Sequence, residues 1–400
     1  MHSSRFVLVL VLAIAALAFA CGKKKSSDGA APSRSAKTAA APPPAQAAPA
    51  SQIAITEGNI YFKSADGAVK TWGTNDGLSG DGTQDSHAKP IALADLAGAA
   101  RLAVSPTAKV MCAAMKDGTV KCWGDGGAGE LGTGKADKSP KPVVVDGVAG
   151  AVDVVAGNNH VCALLGDGTV TCWGANSMNQ ASTAADKIVK PTPVAGVTGV
   201  AQVAAGGDTT CALGKDGSVK CWGIECASQA ENDCAKPYTI ASLAGATYLA
   251  GCWQGLCAVG KDGGVSCWGS NNDYGQLGRE DVRSTDGIVA VKGLTGVKQL
   301  AGGQSHYCAL MTDATVRCWG DNEYGQLGDD TAGKVKFRAA PAPVKGLAGV
   351  ASLACADGTC CALGKGDALQ CWGENVNAAV FGEANNSSTT IGAPVAIALQ

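Results

Sequence analysis

Apolar and polar residues follow one another along most of this chain in short runs, with no sustained helical period. Around the stretch "CALLGDGTVTCWG", Cys162 to Gly174, two such runs read "VCALL" and "TVTCW", and both are rich in residues that favour β-strands. An x-Asp-Gly segment joins them, which is the signature of a three-residue hairpin with glycine in the left-handed conformation. The pattern predicts a β-hairpin in which Cys162 directly opposes Cys172.

The hairpin belongs to a repeat with a period of about 50 residues, the range of propellers and solenoids. Before each hairpin comes a strand such as "VDVVAG", and before that a strand opened by proline, such as "KPVVV" from Lys141. We therefore predict an all-β chain of seven units, each with four antiparallel strands. The units are marked by Trp-Gly steps at Trp72, Trp123, Trp173, Trp222, Trp268, Trp319 and Trp372.

Six of the seven hairpins carry two cysteines ten positions apart, and the first carries Tyr61 and Thr71 instead. Opposed β-carbons on paired strands are about 4.5 to 5.5 Å apart, near the reach of a disulfide. Both cysteines are missing together in the first unit, as bonding predicts. No cluster with zinc-ligand spacing is visible, so no metal site is expected. The predicted pairs are Cys112–Cys122, Cys162–Cys172, Cys211–Cys221, Cys257–Cys267, Cys308–Cys318 and Cys361–Cys371.

Further cysteines lie outside the hairpins. Cys226 and Cys234 bracket an enlarged loop, and we predict a disulfide between them. Cys355 and Cys360 have the spacing for a second loop-closing bond, but the pairing of these two residues and of Cys252 stays open at this stage.

The first residues predict export. An apolar run from Phe6 to Ala20 is too short to span a bilayer and is typical of a cleaved signal peptide, residues 1–20. "LAFACG" resembles a bacterial lipoprotein signal, in which Cys21 is acylated; the alternative is ordinary A-x-A cleavage and a soluble secreted or periplasmic protein. Residues 21–50, rich in Lys, Ser, Ala and Pro, are typical of a flexible tether to an outer-membrane anchor, and residues 51–400 form the propeller.

Composition narrows the function classes. The chain has 55 glycines among 400 residues, as short strands and tight turns require. Its formal net charge of −2 shows no excess of basic residues of the kind that binds nucleic acid. A ring of repeated blades also accommodates a region of this length without one oversized core.

Two copies show a family resemblance: "AGNNHVCALLGDGTVTCWGANSMNQ" from Ala156 and "GGQSHYCALMTDATVRCWGDNEYGQLG" from Gly302. They resemble repeats of the regulator of chromosome condensation family, G-x-x-H-x-x-A-L-x-x-D-G-x-V-x-x-W-G-x-N-x-x-G-Q-L-G. The resemblance implies a seven-bladed β-propeller. The third copy departs from it at Met178 to Ser182, the fourth departs at Ile224 to Tyr238, and the first lacks the motif histidine.

Closure of the ring is a separate expectation. The first unit begins at "QIAITEG" without a proline-led strand, whereas the chain ends in "APVAIALQ". We therefore expect the C-terminal strand, Pro394 to Leu399, to close the ring by joining the first repeat in a composite blade.

Fold alone does not assign function. Relatives in the resembled family include an exchange factor for a small nuclear GTPase, a chromatin binder and an exported inhibitor of β-lactamases. We predict a non-enzymatic, monomeric binding or scaffold protein of the bacterial envelope, anchored to the membrane by its lipid, that recognises an exported or surface protein through its loops. The alternatives are a propeller enzyme acting on an extracellular glycan and, against the exported context, guanine nucleotide exchange.

The candidate partner-binding residues lie where the sequence breaks the repeat, because the scaffold does not require those segments. They are Phe337 and Arg338 in "GKVKFRAA", and Trp253, where other copies carry Gly-x-x-His. The alternative for Trp253 is that it fills a gap left by a shortened segment. No catalytic set and no cofactor motif is found, and His160 and His306 are expected to make structural hydrogen bonds.

Overall fold

The computed structural model describes residues 52–56, 58–74, 78–106, 109–181, 185–224, 236–281, 287–375 and 390–399. These residues form seven antiparallel sheets of four strands each, as the sequence predicted. Each sheet is one blade, and its strands pair in chain order.

The first four blades contain β1 (Gln52–Ile55), β2 (Asn59–Lys63), β3 (Val69–Gly73), β4 (His87–Ala92); β5 (Ala99–Val104), β6 (Val110–Met115), β7 (Val120–Asp125), β8 (Lys138–Val144); β9 (Ala151–Ala156), β10 (His160–Leu165), β11 (Val170–Ala175), β12 (Lys187–Pro193); and β13 (Val200–Gly206), β14 (Thr209–Gly214), β15 (Val219–Gly223), β16 (Tyr238–Thr239). The last three contain β17 (Tyr248–Cys252), β18 (Gly255–Val259), β19 (Val265–Gly269), β20 (Val289–Val291); β21 (Val297–Gly302), β22 (His306–Met311), β23 (Val316–Asp321), β24 (Phe337–Pro343); and β25 (Val350–Ala356), β26 (Thr359–Gly364), β27 (Leu369–Glu374), β28 (Thr390–Ile397).

The blades form a closed ring. The first strand of each blade contacts the first strand of the next, and β1 contacts β25. These seven inner strands surround a central channel, and the apolar core lies in layers between neighbouring blades. The only helices in the described residues are single 3-10 turns, Ala94–Leu96, Ala241–Leu243 and Lys365–Asp367. Among those residues, no helix has the length and apolarity needed to span a bilayer.

The hairpin register is the one that the sequence predicted. Cys162 opposes Cys172 directly, and Gly168 has a φ of 82°, in the left-handed region. Asp167 stabilises the turn because its Oδ1 accepts hydrogen bonds from the backbone N and the hydroxyl of Thr169, at 2.9 and 2.7 Å. These bonds lower the pKa of Asp167, so the turn carboxylate stays ionised. The Asp-Gly motif is thus explained by turn structure alone.

The Trp-Gly step has a steric cause. Gly174 has a φ of 107°, and a β-carbon there would lie 2.5 Å from the carbonyl oxygen of Asn159. The register between β11 and β12 shifts at this point, between Cys172 and Gly174. Glycine therefore permits the irregularity that lets the tryptophan point into the layer between blades.

Disulfides join the opposed cysteines of six hairpins in the structure. All twelve of these cysteines are fully buried. In blade 1 the same space is filled by Tyr61, whose ring packs edge-on against Trp123 and whose hydroxyl donates to the carbonyl of Leu78. A seventh disulfide joins Cys355 and Cys360 across β25 and β26. Cys252 lies buried at the end of β17.

The expectation of a composite blade is wrong. β28 pairs with β27 in its own blade, and blade 1 has a complete set of strands ending in β4. The proline-led strand is the last strand of each blade, not the first. Sequence spacing misled here because the connection from β8 to β9 is only residues 145–150, whereas the loop between the third and fourth strands is long and variable. The ring closes by packing of blade 7 on blade 1, where Val395 and Ile397 lie against a core that includes Ile53 and Phe62.

Each tryptophan packs in the layer between its blade and the preceding one, and five of them also donate a hydrogen bond across that layer. None of the seven is more than 2% exposed. The indole Nε1 of Trp173 donates to the carbonyl oxygen of Glu130, 2.6 Å away in the blade 2 loop, and Trp319 makes the equivalent bond to Gln276 at 2.9 Å. Trp123, Trp222 and Trp372 do the same toward Leu78, Gln180 and Gln326. The Nε1 of Trp268 has no partner among the described residues.

The two motif histidines also act between blades. His160 Nε2 lies 2.7 Å from the hydroxyl of Thr210 in blade 4, and His306 Nε2 lies 3.0 Å from Cys360 Sγ in blade 7. Both rings are fully buried, and burial lowers each pKa from 6.5 to about 3. The rings are therefore neutral at physiological pH. Both make contacts between blades, in agreement with the expectation that they form structural hydrogen bonds.

We expect the substitution Trp173→Phe to cost more stability than Trp268→Phe. Both remove similar volume from a buried site, but only the first leaves the buried Glu130 carbonyl without its donor, which costs about 1 to 3 kcal/mol. Chemical denaturation of the two variants measures the difference. Equal losses would show that the indole hydrogen bond contributes nothing beyond packing.

We also expect stability to fall as the pH drops below about 6.5, because the unfolded chain binds protons at these histidines and the folded chain does not until about pH 3. Each histidine contributes a loss of about 1.4 kcal/mol per pH unit in that window. His160→Gln removes one such site, so its stability should fall less steeply than that of the wild type in urea unfolding at pH 7, 6 and 5. Parallel curves would contradict the buried neutral imidazole.

Candidate functional site

The propeller has two different faces. Strands alternate in direction, so the connections between first and second strands and between third and fourth strands emerge on one face, which we call the loop face. The Asp-Gly turns and the connections between blades emerge on the opposite face, which we call the turn face. Within the described part of the chain, the segments that break the repeat lie on the loop face, because Phe337 and Arg338 begin a fourth strand and Trp253 lies between a first and a second strand.

Exposed apolar side chains are concentrated on the loop face. Among the described residues, seven large hydrophobic side chains are exposed, and four of them lie on the loop face, between a third and a fourth strand or at the start of a fourth one. Val144 and Val152 lie at strand ends on the turn face, and Tyr238 pairs with Cys221 in the middle of the outer edge of blade 4. The four on the loop face are Met178 (45% exposed), Ile224 (54%), Tyr274 (38%) and Phe337 (41%).

Internal hydrogen bonds hold the loops that carry Met178 and Tyr274. In blade 5, Asn272 Oδ1 accepts a hydrogen bond from the backbone N of Leu277 at 2.9 Å, and Leu277 is fully buried. Gln276 folds back so that its Oε1 accepts from the backbone N of Tyr274 and its Nε2 donates to Asn271 Oδ1. The Asn-x-x-Gly-Gln-Leu-Gly motif is therefore a loop brace that presents Tyr274 to solvent.

The third copy keeps this brace despite its departure in sequence. Gln180 Oε1 accepts from the backbone N of Met178, and Asn176 Oδ1 accepts from the backbone N of Ala181, both at 2.9 Å. The Gln180 carbonyl accepts from Trp222, as Gln276 does from Trp319. Met178 is thus held on the surface by the same construction as Tyr274, which sequence comparison of the tails did not reveal.

The structure places the three predicted partner-binding residues on the loop face but at different radii. Phe337 is exposed at the start of β24, on the outer side of blade 6. Its neighbour Arg338 is half-buried, and its guanidinium donates to Asp329 Oδ2 at 2.9 Å, so it braces its own loop. Trp253 is half-buried in the turn between β17 and β18, beside the channel, and its backbone N donates to Gly303 of blade 6.

Carboxyl groups add negative charge to this face near blade 6. The pKa of Tyr324 is raised chiefly by the charges of Glu374 and Glu323. Burial raises the pKa of Asp321, whose Oδ2 accepts from Gln326 Nε2 at 2.9 Å. The surface around the blade 6 loop therefore combines exposed aromatic rings with carboxylates.

A cavity of about 180 Å³ lies at the loop-face end of the channel. The ends of the inner strands line it, mostly with small side chains such as Ala54, Ala205 and Gly302. Cys252 and Cys355 also line this cavity. The seven strands thus leave a small, largely apolar recess in the centre of the loop face.

Next to this recess is a group of sulfur atoms that sequence analysis missed. The ligand atoms of His306, Cys308, Cys355 and Cys360 all lie within 4.8 Å of one another. Their sulfurs are held in the Cys308–Cys318 and Cys355–Cys360 disulfides, so the group offers no thiolate to a metal ion in this state. Superposing the repeats in sequence would have provided the signal, because Cys360 occupies the position of Thr210, directly before a hairpin cysteine.

Three predicted features fall outside the described residues: the signal peptide 1–20, Cys21 with the tether 21–50, and the Cys226–Cys234 pair. They stay predictions. The seven disulfides that the structure does describe suggest an oxidising compartment, extracellular or periplasmic.

Comparison with known proteins agrees with this architecture. Two models described as the Regulator of chromosome condensation (RCC1) repeat match the chain, one at residues 151–180, 200–229 and 297–326 and the other at 117–164 and 313–363. A search of curated protein sequences finds no match.

Solved structures share the fold at low sequence identity. Yeast RCC1 (Prp20), in a crystal structure with Kap60, matches with a TM-score of 0.70 and 21% identity over 83% of each chain. Prp20p from Saccharomyces cerevisiae gives 0.69 and 20% over 87% of this chain and 88% of its own. Human WBSCR16 gives 0.67 and 21% over 78% and 85%. The chain is therefore a seven-bladed β-propeller that contains regulator of chromosome condensation repeats at the matched residues.

Proposed function

We propose that this protein is a non-enzymatic binding scaffold that recognises another exported or surface protein through its loop face. The observation that carries the proposal is the placement of Met178, Tyr274 and Phe337, exposed on one face by loops that internal hydrogen bonds hold in place, with Ile224 exposed on the same face. Exposed apolar side chains on a rigid support are the usual anchors of protein interfaces.

The relatives support binding as a class of function. Yeast Prp20p is described with binding properties to Gsp1p and histones, and yeast RCC1 (Prp20) has been crystallised bound to Kap60. These proteins are partners of the relatives, and identities near 20% transfer the fold alone. Exchange activity on an intracellular GTPase also conflicts with a chain whose hairpins are closed by disulfides.

The geometry gives no comparable support to a glycan-acting enzyme. His160 and His306 are fully buried and neutral, so neither serves as a surface proton carrier. Asp357 is the single carboxylate among the described residues that line the channel recess, so no pair of carboxyl groups is present there for glycoside hydrolysis. The loop face of a binding protein accounts for the exposed aromatic residues without a reaction.

Site-specific photo-cross-linking tests the binding face. We expect p-benzoylphenylalanine at Phe337, or at Ile224, to give one discrete protein adduct when cell envelopes are irradiated, because these side chains are exposed on the loop face. Val152, 51% exposed on the turn face, is the matched control position and should give none. Phe337→Ala should then weaken the captured complex by about tenfold or more, the loss typical of an interface anchor.

Equal cross-linking from Val152 would contradict the choice of face. Turnover of a soluble glycan by the purified protein, with no adduct from either loop position, would favour the enzyme alternative.

We further propose that the protein is an outer-membrane lipoprotein anchored through Cys21. The support is the sequence "LAFACG" together with the compartment that the disulfides suggest. Cys21→Ser should move the protein from the membrane fraction to the soluble fraction, as measured by fractionation and immunoblot. A wild-type protein that is already soluble would favour A-x-A cleavage and a secreted or periplasmic form.

A further inference from the structure

The Cys355–Cys360 disulfide differs from the six hairpin disulfides in its access to solvent. Both cysteines of every hairpin pair are fully buried, whereas Cys355 is partly exposed and lines the recess at the end of the channel. Its partner Cys360 is fully buried. Of the disulfides that the structure describes, this one has a cysteine that is partly exposed at the recess.

The position of the bond also favours attack from the recess. Cys355 lies on the inner strand β25 and Cys360 lies on β26, the next strand outward. Because β25 lies nearer the channel than β26, a thiolate that enters from the recess meets the Cys355 end of the bond before the Cys360 end. Thiol–disulfide exchange requires an in-line approach to one sulfur while the other departs. A cavity of about 180 Å³ is large enough for a small thiol, since roughly 150 Å³ holds benzene.

The buried sulfur is placed to accept negative charge. His306 Nε2 is 3.0 Å from Cys360 Sγ, and His306 Nδ1 has no partner among the described residues. The ring is neutral and carries one proton. With that proton on Nε2 it donates to the sulfur, whereas with the proton on Nδ1 the ring would set a lone pair against the sulfur and leave the N–H unsatisfied. A hydrogen bond from Nε2 stabilises a Cys360 thiolate and makes it a better leaving group.

From these observations we propose that the Cys355–Cys360 disulfide is a thiol-exchange site, which takes small thiols from the channel recess as a mixed disulfide on Cys355. The incoming thiol loses its proton to solvent, and its thiolate attacks Cys355 Sγ. A new S–S bond forms there, the Cys355–Cys360 bond breaks, and the electron pair remains on Cys360 Sγ beside His306. No oxidant or reductant other than the thiol itself is needed.

Blade 3 and blade 4 provide an internal control for this arrangement. His160 Nε2 meets the hydroxyl of Thr210 at 2.7 Å, and Thr210 opposes Ala205 in the same register in which Cys360 opposes Cys355. The same histidine position therefore has a structural role without any sulfur chemistry. Ala205 and Thr210 also show that alanine and threonine can occupy these two positions in a blade that has no disulfide there.

The first experiment maps the reaction on the intact protein. Native protein is incubated briefly with cysteamine, quenched with acid, unfolded, alkylated with N-ethylmaleimide and digested for mass spectrometry. We expect cysteamine on Cys355 and maleimide on Cys360, with all six hairpin disulfides intact. Reaction of the hairpin disulfides at the same rate, or cysteamine on Cys360, would overturn the proposal.

A double variant, Cys355→Ala with Cys360→Thr, recreates the blade 4 pair and serves as the folding control. It should melt close to the wild type and take up no cysteamine. Continued uptake by this variant would show that thiols enter elsewhere.

To test whether His306 assists the exchange reaction, the experiment must measure a quantity that loss of stability alone does not change. His306→Gln and His160→Gln each remove an equivalent interblade imidazole, so both should lower the melting temperature. Only His306→Gln should slow cysteamine incorporation, by roughly tenfold, the size expected for losing a hydrogen bond to a developing charge. Equal rates in both variants would remove His306 from the mechanism, and the mapping experiment stands even if either variant fails to fold.

Discussion

The hydrogen bond from a buried indole N–H to a loop carbonyl of the preceding blade is the interaction on which this propeller depends. It fixes two things at once, because the tryptophan fills the layer between blades while its Nε1 holds the loop that caps the previous blade. The loop in turn must place its carbonyl correctly, and the Asn and Gln side chains of the repeat do so. The glycine after each tryptophan follows from the same geometry, since a β-carbon there would collide with the backbone. One interaction therefore accounts for most of the repeat motif.

The side chains that this interaction does not require are the ones available for binding. When internal hydrogen bonds hold a loop, its outermost side chain is not needed to stabilise it. In several blades that side chain is apolar and exposed. The same loop of the repeat thus provides both a rigid support and a variable surface. In the centre of the ring the inner strands carry small side chains, and the recess there exists because seven strands of this size do not fill the axis.

Much of this was predictable from the sequence. The strands, the hairpin register and the number of blades follow from periodicity, and Cys162 opposite Cys172 follows from centring the turn on Asp167. The grouping of strands into blades did not follow, because sequence proximity favours the short connection between blades over the long loop within one. The contact of His306 with Cys360 was also beyond the sequence, since it joins residues of different blades whose facing layers are visible only in three dimensions. The exposure of Met178 was not predicted, because its loop differs from the repeat in sequence but keeps the hydrogen bond from the Met178 backbone N to Gln180 Oε1.

Closure of the ring without strand exchange gives the molecule a seam. Blades 7 and 1 are joined by packed side chains and by contacts such as Lys70 Nζ donating to the carbonyl of Leu399 at 3.0 Å, with no shared sheet. Blade 1 also has Tyr61 and Thr71 where the other hairpins have a disulfide. Local opening takes the path with the fewest constraints, so we expect partial unfolding to begin at this seam. Because Ile53 and Ala54 of β1 line the central recess, opening of the seam would also widen the recess.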